Sequence, residues 1–304
     1  MTGTTEQIGF VGLGVMGEPI CRNLARKSAL RVTAHDLNAE PLERLARDGV
    51  IVAAGLKEVS AGSLAVFLSL PSGEIVEDIC LRQDGLLENS TRGQFIVDTS
   101  TTPVGLTRDL AAKFAQRGVT FVDAPVARTR AAAEEGTLSV MVGAEERVFA
   151  QLLPLIETFA SDVTLCGTVG CGQVVKILNN MVLFETVMAL SEAKAIAERS
   201  GVDAELLFET LTKGSADSFA LRNHGLKAII PGLYPERAFS VVYAKKDLRY
   251  AIELAKSVQF AASGALLVDQ WLNRAIQAGY GDRYHPVISR LIGAALTEGL
   301  QTKK

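Results

Sequence analysis

The sequence predicts an α/β domain, residues 1–166, followed by an all-α domain, residues 167–304. In the first half, short apolar runs alternate with helical patterns, which is typical of a parallel sheet with crossover helices. In the second half, every periodic segment has a helical pattern. It begins with residues 167–201, whose apolar side chains occupy nearly all faces of one helix of about 27 residues, roughly 40 Å long. We therefore expect this helix to join the two domains and to be buried nearly all round.

Composition restricts the class of protein. A chain of 304 residues is long enough for two cores, and a net charge of −3 gives no reason to expect a nucleic-acid or membrane partner. The four cysteines have no zinc-binding spacing, so we expect reduced thiols and no metal site. No secretory signal is visible and no run of about 18 apolar residues occurs, so we expect a cytoplasmic protein.

The first predicted strand runs into a segment with the spacing G-x-G-x-x-G, consisting of Gly12, Leu13, Gly14, Val15, Met16 and Gly17. In such a segment Gly12 permits a tight turn, Gly14 lets the backbone approach a pyrophosphate, and Gly17 lets the next helix pack closely. The next strand ends at Asp36, whose carboxylate suits the adenosine ribose hydroxyls and repels a 2′-phosphate. We therefore predict a Rossmann-type domain that binds NAD in preference to NADP. The alternative is a glycine-rich turn in another α/β protein.

Two further strands end in residues that the same crevice would use. The strand 63–70 ends with Leu70, before Pro71 and Ser72, and the strand 94–100 ends with Ser100, before Thr101. Because ligands of open parallel sheets bind at the carboxyl ends of the strands, we expect these residues to contact the cofactor. The alternative is that the hydroxyl groups cap the helices that follow.

A loop after the strand 119–123 contains the arginines Arg128 and Arg130. A guanidinium group matches the geometry of a carboxylate, phosphate or sulfonate, so this loop is a candidate binding site for an anionic substrate. The alternative is that both arginines are solvated surface residues.

Near its start the long helix carries Lys176, Asn179 and Asn180. Lys176 and Asn180 are four residues apart and share one face, and burial of a lysine can tune its pKa for proton transfer. The alternative is that Lys176 reaches solvent and that the asparagines make structural bonds. His35, His224 and His285 lie in no catalytic pattern, and we interpret them as structural or solvated.

The second half predicts helices at 205–214, 217–229, 245–259, 264–278 and 286–299, with a long loop at 230–239. Lys246 lies at the start of one helix, where a positive charge is unfavourable, so it is a candidate for an anion contact. The alternative is a solvated lysine.

The chain resembles the β-hydroxyacid dehydrogenase family, the group of 3-hydroxyisobutyrate dehydrogenase-like enzymes related to 6-phosphogluconate dehydrogenases. The resemblance covers nearly the whole chain and rests on five motifs: IGFVGLGVMGEPI at 8–20, FVDAPV at 121–126, GTLSVMVGA at 136–144, GxxGxGxxxKxxNN at 167–180 and KKDL at 245–248. It implies a Rossmann domain, an all-α domain, a long helix between them, and a homodimer or homotetramer.

The resemblance also implies site roles. Lys176 matches the catalytic lysine, Asn180 the asparagine that orients the substrate, and Asn179 a supporting residue. Lys246 matches the lysine that reaches the cofactor, Ser100 or Thr101 a neighbouring hydroxyl residue, and Phe239 a phenylalanine near the reaction centre.

One departure from the family concerns the substrate loop, here Val126, Ala127, Arg128 and Thr129. The family commonly has Ser-Gly-Gly after Asp-x-Pro-Val, whereas a Gly-Arg-Thr pattern occurs in its sulfolactaldehyde reductases. We therefore expect an NAD-dependent oxidoreductase that interconverts a small anionic 3-hydroxy acid, or its sulfonate analogue, and the semialdehyde or keto form. Alternatives are 3-hydroxyisobutyrate dehydrogenase itself, a succinic semialdehyde- or glyoxylate-type reductase and, more remotely, an imine reductase or a non-catalytic NAD sensor.

Overall fold

The protein is represented by a computed structural model that describes residues 7–236 and 238–295. The chain divides into two compact units, Met1–Lys176 and Ile177–Lys304, so the division falls within the long helix. The predicted fold class is confirmed, because the first unit has a largely parallel sheet with helices and the second is helical.

The first unit contains nine strands and eight helices among the described residues, and the ninth helix begins in it. The strands are β1 (Gln7–Val11), β2 (Arg31–His35), β3 (Ile51–Val52), β4 (Ser63–Leu68), β5 (Phe95–Asp98), β6 (Thr120–Asp123), β7 (Val126–Ala127), β8 (Leu138–Gly143) and β9 (Ala160–Gly167). The helices are α1 (Gly17–Lys27), α2 (Ala39–Ala46), α3 (Leu56–Ser60), α4 (Gly73–Leu81), α5 (Leu86–Asn89), α6 (Val104–Gln116), α7 (Arg130–Glu135), α8 (Glu146–Ile156) and α9 (Cys171–Arg199).

These strands form one sheet in the order β3-β2-β1-β4-β5-β6-β8-β7, with β9 paired to β8. The strands from β3 to β6 are parallel, whereas β8 runs antiparallel to β6. The order reverses between β1 and β4, and in open α/β sheets this switch point is where ligands bind. The glycine turn after β1 and the polar residues after β4 and β5 therefore lie at the expected end of the sheet.

Both faces of the sheet are covered, as a parallel sheet requires. Phe10 and Phe67 stack on one face with ring centroids 6.3 Å apart, and Phe159 packs edge-on against Phe67. Val66 and Leu68 point to the other face, where they share a core with Phe114 and other buried residues. Because successive side chains of each strand point to opposite faces, the sheet contributes to a core on both sides and lies between two layers of helices.

The loop between β6 and β8 contains two elements that the sequence pattern did not predict. β7 has only two residues, which pair with Val140 and Ser139 of β8. The short α7 follows, with the Thr129 hydroxyl accepting a hydrogen bond from Ala132 N and Gly136 ending the helix in the left-handed conformation. Elements of two and six residues are too short to show a periodic pattern.

The helix α9 contains 29 residues, but the expectation that it is buried nearly all round is wrong. Val175, Leu178, Val182 and Ile196 are between 39% and 61% exposed. Its length and composition alone would allow it to cross a membrane, a criterion that core helices of globular proteins also meet. The apolar pattern therefore predicted the helix but not what covers each of its faces.

In the second unit the core is built by helices. They are the remainder of α9, α10 (Ala204–Leu211), a π-helix (Leu221–Ile229), α11 (Val241–Ser257), α12 (Ser263–Gln277), a 3₁₀ helix (His285–Val287) and α13 (Ile288–Ala295). The predicted helix 217–229 is thus largely a π-helix, and residues 296–299 of the last predicted helix lie outside the described residues.

Two of the three histidines belong to this second core. His224 and His285 are buried with ring centroids 5.3 Å apart, and the His224 Nδ1 is hydrogen-bonded to the Tyr284 hydroxyl. Burial lowers the pKa of His224 to about 4, so its ring is neutral near pH 7. In the first unit, the His35 Nδ1 lies 3.1 Å from the Ala53 carbonyl oxygen.

Candidate active site

The turn after β1 has the shape that the glycine spacing predicts. Gly12 has a φ of +93°, and a Cβ at this position would overlap the Ser69 carbonyl oxygen of the strand end beside it. A Cβ at Gly17 would overlap the Gly12 carbonyl oxygen. The protein's own packing therefore requires glycine at both positions.

Gly14 differs from the other two glycines. It is exposed, and an added Cβ would meet no protein atom within 4 Å. Gly14 lies three residues before the start of α1, and the first N–H groups of a helix have no partner within it and favour an anion. Packing does not explain the glycine here, whereas close approach of a pyrophosphate does, so these residues fit a dinucleotide.

Asp36 is held beside this turn. Its Oδ2 accepts a hydrogen bond from Leu13 N at 2.5 Å, and its Oδ1 accepts one from Asn38 N at 2.7 Å. The carboxylate thus fixes the glycine turn, in addition to the predicted role of binding ribose hydroxyls. A carboxylate has about four lone-pair sites, so both roles are compatible.

The residues after β4 and β5 hold the two strand ends together. The Ser100 hydroxyl oxygen accepts a hydrogen bond from Leu70 N at 2.8 Å. Ser100 and Thr101 do not occupy the N-cap of α6, which is Pro103, and Ser72 occupies the N-cap of α4 without a side-chain bond. Helix capping therefore does not account for these hydroxyl groups, and their contact with the cofactor, like that of Pro71, stays a prediction.

Gln173 is a site residue that the sequence reasoning missed. Its side chain is fully buried, donates to the Ser100 carbonyl oxygen at 2.8 Å and accepts from Thr102 N at 3.1 Å. The Thr102 hydroxyl in turn donates to Asp98 Oδ2 at 2.6 Å. Gln173 therefore joins the carboxyl end of β5 to the first turn of α9, one turn before Lys176.

The three predicted polar residues of α9 differ in their exposure to solvent. Lys176 is half-buried, Asn179 is exposed and Asn180 is buried. The Asn180 Nδ2 donates to Asp247 Oδ2 at 2.7 Å, and its Oδ1 accepts from Asn179 Nδ2 at 3.1 Å. The amide of Asn180 is therefore held in one orientation, as a residue that orients a substrate requires.

Lys246 belongs to the same group of side chains in the second unit. Its Nζ lies 2.9 Å from Asp247 Oδ1 and 5.2 Å from the centre of the Tyr250 ring. Lys245 pairs with Asp269 at 2.7 Å. Neither lysine is simply solvated, and the partner of Lys246 is a buried carboxylate that also holds Asn180. Its predicted contact with the cofactor stays a prediction.

Phe239 packs in the aromatic part of the second core. Its ring centroid lies 5.6 Å from that of Phe184, a residue of α9, and 5.4 Å from that of His285. The predicted position near the reaction centre stays a prediction.

The substrate loop shows an unusual backbone at Arg128. Its φ is +88°, in the region that favours glycine, and the family commonly has glycine there. The guanidinium donates to the Thr137 carbonyl oxygen at 2.6 Å, to Ser161 Oγ at 2.9 Å and to Asp162 Oδ2 at 2.7 Å. These bonds offset the backbone strain and hold the loop against β8 and β9.

Arg130 points elsewhere. It pairs with Glu134 of α7 at 2.8 Å, and both side chains are exposed. The structure therefore ties the two arginines to different acidic residues of their own unit. The assignment of Arg128 as the contact of a substrate anion stays a prediction, and Asp162 would compete with such an anion for the guanidinium.

Comparisons with known proteins place the chain in a family. Residues 7–168 match the family described as the NAD binding domain of 6-phosphogluconate dehydrogenase, and residues 170–292 match that described as NAD-binding of NADP-dependent 3-hydroxyisobutyrate dehydrogenase. The chain is 34% identical to 2-(hydroxymethyl)glutarate dehydrogenase of Eubacterium barkeri over 82% of each chain. It is also 34% identical to 2-hydroxy-3-oxopropionate reductase of Escherichia coli, over 83% of this chain and 85% of that one.

A solved structure agrees with these matches. The 3-hydroxyisobutyrate dehydrogenase of Mycobacterium tuberculosis, solved with L-serine, has a TM-score of 0.86 and 27% identity, over 95% of this chain and 99% of that one. Two family matches cover nearly all of the residues that form the glycine turn, the lysine-bearing helix and the second core. The chain therefore belongs to the β-hydroxyacid dehydrogenase family and is an oxidoreductase that acts on CH–OH groups with a nicotinamide dinucleotide.

Proposed function

We propose that this protein is an NAD-dependent enzyme that interconverts a small anionic 3-hydroxy acid, or its sulfonate analogue, and the corresponding semialdehyde or keto form. The observation that carries the proposal is the position of Lys176 on α9, one turn after Gln173. The Gln173 side chain is hydrogen-bonded to the Ser100 carbonyl oxygen, and the Ser100 hydroxyl oxygen accepts from Leu70 N. Ser100 and Leu70 are both predicted cofactor residues. A lysine so placed is suited to proton transfer at the oxygen of a carbon that exchanges a hydride.

The proposed chemistry divides between the cofactor and the chain's own residues. When bound, the nicotinamide ring accepts or supplies the hydride. Lys176 takes the hydroxyl proton as a neutral amine in the oxidative direction and donates it as an ammonium in the reductive direction. Asn180, held by Asp247, fixes the substrate oxygen, and the loop Val126–Thr129 holds the acid group.

A turnover screen tests this function. Production or consumption of NADH would be followed with short 3-hydroxy acids, their sulfonate analogues and ω-semialdehydes. The relatives named above act, by their names, on small hydroxy acids, so we expect at least one such compound to be turned over. An enzyme inactive on the whole panel, or active only on imines, would contradict the proposal.

The choice of NAD over NADP rests on Asp36. We expect Asp36→Asn to lower the ratio of kcat/KM for NAD to that for NADP by roughly tenfold, because one negative charge near the 2′-phosphate is lost. The asparagine keeps an oxygen that can accept from Leu13 N. Glu40→Gln, on the exposed first turn of α2, removes a nearby negative charge as a control and should leave the ratio unchanged. A ratio unchanged in Asp36→Asn would contradict the role of this carboxylate.

We assign Arg128 as the residue that binds the acid group of the substrate. We expect Arg128→Ala to raise the KM for the acid substrate roughly tenfold or more, with NADH affinity unchanged, because a charge-assisted hydrogen bond is lost. Arg130→Ala is the matched control and should leave KM unchanged. An unchanged KM in Arg128→Ala would contradict the assignment.

Asp162 offers a second test of the same arginine. If Arg128 leaves Asp162 to bind the substrate, Asp162→Asn removes the competing carboxylate and should lower KM. If the ion pair serves only to hold the loop, the same substitution should raise KM. A lowered KM in Asp162→Asn would support a substrate with a strongly anionic head group, such as a sulfonate.

A further inference from the structure

The carboxylate of Asp123 holds the start of the helix that carries Lys176. Asp123 is the last residue of β6 and is fully buried. Its Oδ1 accepts from Gly170 N at 2.7 Å and its Oδ2 from Gln173 N at 2.8 Å. Both oxygens thus bind N–H groups that α9 cannot satisfy within itself, and a negative charge at this end also complements the helix dipole.

Two glycines close around this carboxylate. A Cβ added to Gly143, at the end of β8, would overlap the Asp123 carboxylate, and one added to Gly172 would lie 2.9 Å from Asp123 Oδ2. The carboxylate accounts for the glycine at 143, whereas a Cβ at Gly172 would overlap the Met141 carbonyl oxygen as well as approach the carboxylate. Their backbones leave the carboxylate little room to move, so its position fixes the first turn of α9.

The surroundings make the charge of this carboxylate sensitive to pH. Burial, aided by the negative charge of Asp98 on β5, raises the pKa of Asp123 to about 6, although its hydrogen bonds to backbone N–H groups act against this rise. Cys166 of β9 lies near Asp123 and near Cys171 of α9, and Arg108 of α6 lies beside Gly170. A protonated carboxyl group loses the charge that strengthens both bonds to α9.

We propose that Asp123 is a positioning residue whose ionised carboxylate fixes the first turn of α9 and thereby the orientation of Lys176, so that turnover falls when this carboxyl group takes up a proton. The proposal rests on the proposed role of Lys176 as the acid/base. Asp123 acts through the helix and touches neither substrate nor cofactor in this mechanism. A small displacement of a catalytic group is enough to lower a rate about a hundredfold.

The test compares the wild-type chain with Asp123→Asn, with Asp109→Asn on the exposed face of α6 as the matched control. Turnover is measured from pH 5 to pH 9 in the reductive direction. There Lys176 must be protonated, so its own titration removes activity at high pH and not at low pH. We expect wild-type kcat to fall below about pH 6, and Asp123→Asn to have a kcat roughly 10- to 100-fold lower without this acidic decline.

Hydrogen exchange of the amides of residues 170–176 gives a readout that does not need turnover. We expect faster exchange in Asp123→Asn, where an amide group replaces one oxygen that accepts from the backbone, with no change in Asp109→Asn. Unchanged exchange would overturn the proposal even if activity fell. Faster exchange with unchanged kcat would show that the capping does not position Lys176.

The two proposals fail in distinguishable ways. If the wild type turned over no compound of the panel, the proposed function would fail, whereas the exchange data would still report whether Asp123 holds α9. If Asp123→Asn does not fold, the carboxyl resonance of Asp123 in the wild type is titrated by NMR instead. A pKa that coincides with the acidic decline of kcat supports the proposal, and a kcat that stays constant from pH 7 to pH 5 overturns it.

Discussion

Replacement of Lys176 by methionine is expected to lower kcat by about 10²- to 10⁴-fold, the usual loss when a positioned acid/base is removed. Methionine keeps an unbranched apolar side chain at this half-buried position, so the fold and NADH affinity should stay close to wild type. The measurement is steady-state turnover together with NADH binding followed by fluorescence. A kcat within a few-fold of wild type would show that another group transfers the proton.

A lysine elsewhere on the same helix supplies the control. Lys194 pairs with Glu198 at 2.6 Å near the other end of α9. Lys194→Met makes the same chemical change on the same helix, and we expect it to leave kcat unchanged. Comparison of the two variants separates the loss of the acid/base from the loss of one positive charge on α9.

The glycine turn gives the second large effect, because its glycines are required for different reasons. We expect Gly17→Ala to destabilise the first unit by about 1–3 kcal/mol or more, since its Cβ would overlap the Gly12 carbonyl oxygen. We expect Gly14→Ala to unfold at the wild-type temperature, since its Cβ would meet no protein atom. It should nevertheless bind NADH roughly tenfold more weakly, because a methyl group would fill the space that the pyrophosphate needs.

Thermal unfolding and NADH titration of both variants check this pair. Wild-type NADH affinity in Gly14→Ala would contradict the placement of the pyrophosphate at this turn. Wild-type stability in Gly17→Ala would mean that α1 moves away from β1 at little cost.

The fold was predictable where long, regular patterns exist. The alternation of strands and helices, the G-x-G-x-x-G spacing and the apolar length of α9 predicted the Rossmann-type sheet and the helical second unit. β7 and α7 are too short for such patterns, and over nine residues an apolar pattern does not distinguish the π-helix at 221–229 from an α-helix. The exposed Val182 and Ile196 show that a pattern identifies an apolar face but not what covers it.

The site was predictable only in part, because a motif identifies residues and not their distant partners. Gln173 binds Ser100, Asn180 binds Asp247 and Arg128 binds Asp162. These pairs join elements far apart in sequence, and no local spacing predicts them. The same applies to Asp123, whose place in the FVDAPV motif drew attention to the loop that follows it and not to the helix that it holds.

The central claim is that Lys176 transfers the proton while the substrate exchanges a hydride with the nicotinamide. The most direct measurement is the single-turnover rate of NADH formation at saturating NAD and saturating hydroxy acid, in the wild type and in Lys176→Met. We predict a rate at least about a hundredfold lower in the variant. Equal single-turnover rates in the two proteins would contradict the claim, whatever their steady-state values.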